Sequence, residues 1–130
     1  MPNWVTERIV RHIHAEQLAE HGGLNGPSRE GALEAALARP QQLHHYRPGT
    51  SLERLAAAYG YGLSQGHCFP DGNKRLGFVA MDVFLRINGR QLTATEEDAV
   101  VTMLAVAAGE IDEDGLAAWI TANSGPLPGE

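Results

Sequence analysis

The chain has 130 residues, ten Lys and Arg against sixteen Asp and Glu for a formal net charge of −6, and 43% hydrophobic residues. That is the size and composition of one soluble domain able to bury roughly two thirds of its unfolded surface, and it excludes a largely disordered chain. No stretch approaches the ~20 apolar residues of a membrane span, Met1-Pro2-Asn3-Trp4 does not read as a signal peptide, and a single cysteine, Cys68, excludes an internal disulfide and a cysteine-based structural zinc site, so a reducing, cytoplasmic setting is expected.

The apolar period is helical almost throughout. Val5, Ile9, Ile13 and Leu18 predict a first helix over roughly 4–21, stopped by Gly22-Gly23. Ser28 reads as the N-cap of a short second helix carrying Leu33, Ala36 and Leu37, with Pro40 just past its end. Residues 40–50 read as a loop or short hairpin with proline near both ends. Ser51 then caps a third helix with Leu52, Leu55, Tyr59 and Leu63 on one side, weakened by Gly60 and Gly62 and ended by Gly66. The strongest apolar stripe, from Leu76 to Ile87, predicts a central helix over about 73–88 that stops at Asn88-Gly89. Thr95 opens a near capping box, with Asp98 in the glutamate position, and Gly109 closes the helix that follows. Asp112 caps a last helix with Leu116, Trp119 and Ile120. The expected architecture is one all-α domain over 1–123 with about six helices, a flap before the third helix, and a flexible tail over 124–130. No strand run, repeat or linker is read, and neither GxxxxGK(S/T) nor GxGxxG occurs, so a βαβ nucleotide fold is not expected.

Charge is unevenly placed. Up to Arg90 there are ten basic and eight acidic residues; beyond it there are eight acidic and no basic ones. No long segment is dominated by basic residues, so direct nucleic-acid binding is not expected. A compact phosphate site built from two or three cations remains open.

One segment carries chemistry: His67-Cys68-Phe69-Pro70-Asp71-Gly72-Asn73-Lys74-Arg75. It places a loop at the N-terminus of the central helix, where free N–H groups and a charge of about +0.5 attract anions. Gly72 can turn with positive φ and fold N–H groups around an oxyanion. Lys74, the one lysine of the chain, and Arg75 add two cations at the dipole-unfavourable end of that helix, which a bound anion would compensate. His67 has the chemistry of a general base, and Asp71 that of an Mg²⁺ ligand at a phosphate site. Asn73 can brace the loop or bond phosphate, and Phe69 is expected to point inward and pin the loop. Each residue alone has a plainer reading: a hydrogen-bonded loop histidine, an Asp-Gly turn, an Asn cap, two solvated cations. The joint arrangement favours attack of a hydroxyl on a phosphoryl group. His12 and His14, two apart on the first helix, face different sides, and His21 lies near its C-terminus, a favourable place for a cation, so a metal site is not expected there; Cys68 reads as filler.

The same nine residues resemble the motif of the Fic/Doc superfamily, His-x-Phe-x-(Asp/Glu)-(Gly/Ala)-Asn-(Gly/Lys)-Arg. The Doc (death-on-curing) branch is the better match. Lys74 stands where AMP-transferring Fic enzymes carry glycine, and Phe78 stands where they carry a further arginine. Residues 31–40, 84–89, 105–110 and 119–120 resemble flanking family segments, so the likeness runs over nearly the whole chain. It implies that His67 deprotonates a target hydroxyl, that Asp71 places Mg²⁺ or the target, and that Gly72, Asn73, Lys74 and Arg75 bind the phosphates of ATP or another nucleoside triphosphate. The resemblance makes His67, Asp71, Lys74 and Arg75 the catalytic set. It further implies γ-phosphoryl transfer to a threonine of elongation factor Tu, a block of translation, and control by a small antitoxin protein with a disordered tail. Residues 40–50, with His44 and His45, would be the target-docking flap. The inhibitory pattern (Ser/Thr)-x-x-x-Glu-(Gly/Asn) of some Fic enzymes has no clean match; Thr93 to Glu97 has the spacing, but Asp98 follows. An AMP transferase and a catalytically idle binding protein are the alternatives.

Overall fold

The computed structural model describes residues 1–129 as six helices and one two-stranded ribbon. The helices are α1 (Glu7–His21), α2 (Ala32–Tyr46), α3 (Leu52–Gln65), α4 (Asn73–Ile87), α5 (Glu96–Ala107) and α6 (Glu113–Ala122). The strands are β1 (Arg90–Leu92) and β2 (Ser124–Pro126). The all-α expectation holds. No helix among the described residues is long and apolar enough to cross a membrane.

Four helices start on a side-chain cap. The oxygens of Thr6, Ser51, Thr95 and Asp112 accept from the N–H groups of Ile9, Arg54, Asp98 and Gly115. Three of these caps are legible in the sequence. The first helix begins later than residue 4, because the Thr6 hydroxyl sets its start. Its inward face carries Val10, Ile13 and His14, and Ile9 is turned outward.

α2 departs most from expectation. Its N-cap is Gly31, in the left-handed region at φ 77°, and not Ser28, whose hydroxyl instead accepts from Arg11 Nη2 at 3.1 Å. The helix also runs through Pro40 to Tyr46. A proline inside a helix removes one backbone bond and costs about 3 kcal/mol. Here Leu33 and Leu37 before it and Leu43 after it all pack on the core and hold the helix together. Residues 40–46 are therefore helix and not loop or hairpin, and the connection to α3 is only 47–51. His44 meets the Trp4 ring edge-on at 5.6 Å, and Trp4 in turn stacks on Phe84.

α3 lies at the centre, packed against α2, α4 and α6, and is buried continuously from Leu55 to Gly60. Two glycines set its distance from α4. A Cβ on Gly77 would lie 2.7 Å from the Gly60 carbonyl oxygen, and one on Gly60 would lie 2.8 Å from Met81 Sδ. Gly60 thus serves close packing, where the sequence suggests only a weak helix. Tyr59, buried in this core, bonds the backbone N–H and C=O of Val5, and burial pushes its phenol up to about 12.

β1 and β2 pair antiparallel, with Arg90 opposite Pro126 and Leu92 opposite Ser124. Residues 124–126, expected as part of a flexible tail, thus form a strand, and Leu127 N–H donates to the Gly89 carbonyl at 2.9 Å. Three-residue strands carry too little alternation to be read from sequence. Glu130 lies outside the described residues.

Candidate active site

The chemistry-bearing segment joins the two most closely packed helices. α3 ends at Gln65, and the chain reverses through His67, which sits at φ 48°, the one positive φ outside glycine among the described residues. Cys68 and Phe69 then turn inward and are buried. Gly72, at φ 81°, starts α4.

The turn is braced from within and from α1. The Asn73 side-chain amide closes a ring on Phe69: Oδ1 accepts from its N–H at 3.1 Å and Nδ2 donates to its carbonyl at 2.8 Å. Of the two jobs open to Asn73, bracing the loop is the one these bonds perform. His14, buried on α1, stacks on the Phe69 ring at 3.8 Å and 15°. Its Nε2–H donates to the Asp71 carbonyl oxygen at 2.8 Å, which assigns the ring its tautomer.

The Asp71 carboxylate is held at the head of α4. Oδ2 accepts from Leu24 N–H at 3.1 Å and Oδ1 from Gly72 N–H at 2.8 Å. These two bonds, the Leu24 one first, hold its carboxyl below the usual carboxylate range, with Arg75 and His14 adding to the effect. Asp71 is therefore a carboxylate at neutral pH and not an acid. Each oxygen accepts one N–H and keeps a free lone pair. That suits one ligand of an Mg²⁺ ion whose remaining positions are phosphate oxygens and water. Among the described residues no group of three His, Cys, Asp or Glu is gathered for a metal held by protein alone.

Unlike the four helices that start on a side-chain cap, α4 has no capping side chain and no acidic residue in its first turn. Its N–H groups are left open to an anion. Lys74 is exposed, and Arg75 donates through Nη2 to the Gly22 carbonyl at 3.3 Å. Both line a cleft of about 430 Å³ between α1, α4 and α5, with His21, Phe78, Glu96 and Met103. His67, at the other end of the turn, is exposed. Burial pushes the Cys68 thiol up, so it stays protonated and unreactive, in keeping with a filler role.

The segment that lies against the motif is 22–31, between α1 and α2, and not 40–50. Leu24 bonds Asp71, and Gly22 receives Arg75. A Cβ on Gly23 would stand 2.8 Å from Asp71 Oδ2, and one on Gly26 would stand 2.9 Å from Pro70 Cγ. Arg29 bonds the backbone of residues 66–68. His14, Gly23, Leu24 and Arg29 are thus parts of the site that sequence reasoning missed. The available signals were three glycines within five residues at 22–26 and a histidine one helical turn after Val10.

The sequence is similar to known proteins. The sequence profile of the Fic/DOC family matches residues 4–85. The chain is 36% identical over 116 residues to "Protein kinase doc" of Escherichia phage P1, covering 83% of this chain and 91% of that protein. It is 40% identical over 91 residues to "Toxin Doc" of Mycolicibacterium smegmatis (strain ATCC 700084 / mc(2)155), covering 68% of this chain and 70% of that protein.

Proposed function

The chain belongs to the Fic/DOC family, and from that premise we propose that it is a Doc-like toxin that transfers the γ-phosphoryl group of a nucleoside triphosphate to a protein hydroxyl. The observation that carries this reading is the head of α4: uncapped N–H groups, two cations in the first turn, and a carboxylate held beside them. That set suits a polyphosphate with its metal ion better than any uncharged ligand.

His67 takes the proton from the target hydroxyl as its oxygen bonds to the γ-phosphorus. The bond from that phosphorus to the β,γ-bridging oxygen breaks, and nucleoside diphosphate leaves. The N–H groups of the first turn of α4, with the Lys74 and Arg75 side chains, meet the charge on the phosphate oxygens, while Gly72, whose N–H is held by Asp71, turns the chain into that helix. Asp71 would hold Mg²⁺, which would supply neutralisation of the phosphate charge. A threonine of elongation factor Tu is the proposed acceptor, with arrest of translation as the consequence. In support of phosphoryl transfer, one similar protein is named a kinase, and Lys74 and Phe78 depart from the AMP-transferring pattern.

A small antitoxin is the proposed partner, in line with the relative named a toxin. Supporting it is the outer face of α5, where Val100 (54%) and Leu104 (49%) stay exposed on the wall of the cleft between α1, α4 and α5. Intact-mass measurement of elongation factor Tu after incubation with the protein and Mg-ATP tests the reaction. A gain of one phosphate is expected. A gain of one adenylate would assign AMP transfer instead, and no gain on this or any cell protein would leave the idle binding protein.

A further inference from the structure

His67 sits at φ 48°, a positive value uncommon for any residue with a Cβ, so its surroundings bear on how it is held. One side chain is placed to hold it. Arg29, in the segment between α1 and α2, donates through Nη2 to the Gly66 carbonyl at 2.6 Å and, at the long distance of 3.4 Å, through Nε to the His67 carbonyl. Its own backbone N–H donates to the Cys68 carbonyl at 2.7 Å. The Gly66 carbonyl belongs to the peptide plane before the His67 Cα, and the His67 carbonyl to the plane after it. Fixing both planes fixes φ and ψ of His67, and with them the direction of its Cα–Cβ bond.

We propose that Arg29 is a positioning residue that aims His67 by clamping the two peptide planes on either side of it. Arg29 matters to transfer in this way only if His67 is the base, as proposed above. The guanidinium suits the task because its planar fork offers N–H groups to two neighbouring oxygens at once. A lysine ammonium in the same place would keep the charge without the fork. The same carbonyls lie at the C-terminal end of α3, where any cation is favourable. A purely structural role would therefore be met by either residue.

The two roles separate in Arg29→Lys and Arg29→Ala. For phosphoryl transfer from Mg-ATP to elongation factor Tu, both variants should lose roughly 10- to 100-fold in kcat, the scale expected of a misplaced catalytic group. KM for ATP should move less than about twofold, because the α4 head is untouched. Neither change should add to the loss in a His67→Ala background, since Arg29 acts through that ring. In ¹⁵N relaxation, the order parameters of His67 and Cys68 should fall from about 0.85 towards 0.6 in Arg29→Ala. Wild-type kcat in Arg29→Lys, a loss that adds fully to that of His67→Ala, or unchanged order parameters would each overturn the proposal. A wild-type protein that transfers no phosphate would refute the assigned reaction, while the relaxation data would still decide whether Arg29 holds His67.

Discussion

The ring of His14 lies flat on the ring of Phe69, 3.8 Å away, while its Nε2–H reaches over to the carbonyl of Asp71. One buried side chain from α1 therefore holds both the anchor and the acidic residue of the turn that opens α4. Removing it in His14→Ala should cost about 2–4 kcal/mol, combining a core cavity with a stranded carbonyl. His14→Phe keeps the stack and loses only the hydrogen bond, so about 1 kcal/mol is expected. Urea denaturation of the three proteins measures the difference.

Asp71 makes stability depend on acid. Its folded-state pKa lies below its unfolded value, so its contribution is fully present above the ordinary carboxylate value of about 3.9 and is lost as pH falls through the lower, folded value. Asp71→Asn should therefore flatten the melting-temperature profile in the acid region below about pH 4 and leave its shape near neutrality unchanged. An acid limb as steep as in the wild type would show that the Leu24 and Gly72 bonds do not act on this carboxyl.

Glycines in the two central helices should respond in opposite senses. Gly77→Ala drives a methyl against the Gly60 carbonyl, 2.7 Å away, and α3 and α4 must part, at a cost of about 1–3 kcal/mol. Gly62→Ala places its methyl in ordinary contact with Ala36, 3.8 Å away, and gains up to about 1 kcal/mol of helix propensity. Chemical denaturation midpoints give the sign of each directly.

The strain at His67 predicts a further contrast. Glycine accepts a positive φ that alanine resists by about 1–2 kcal/mol, less the entropy glycine loses on folding. His67→Gly should thus be more stable than His67→Ala by about 1 kcal/mol, with transfer slowed roughly 10²- to 10⁴-fold but still measurable in both. Equal melting temperatures would mean the turn relaxes once the imidazole is gone.

Much of this was open to reading along the chain. Ser51, Thr95 and Asp112 announce their helices because a short polar side chain before an apolar period has few other uses. The 67–75 turn was legible because its residue types converge within nine positions. What stayed hidden depends on contacts between distant segments. Pro40 reads locally as a stop, and only the packing of Leu43 on the core carries the helix past it. Segment 22–31 has no periodicity, and its place beside Asp71 follows from where α1 ends against α4. Arg29 looks like any surface cation until the carbonyls at the end of α3 are seen beside it.

The proposed transfer requires the head of α4 to cradle a polyphosphate. Titration of the ¹⁵N-labelled protein with a non-hydrolysable Mg-ATP analogue, with Lys74→Ala alongside, reads that binding residue by residue. The largest amide shifts should fall on Gly72, Asn73, Lys74 and Arg75, and binding should weaken in Lys74→Ala. Shifts centred elsewhere, or none at millimolar nucleotide, would contradict it.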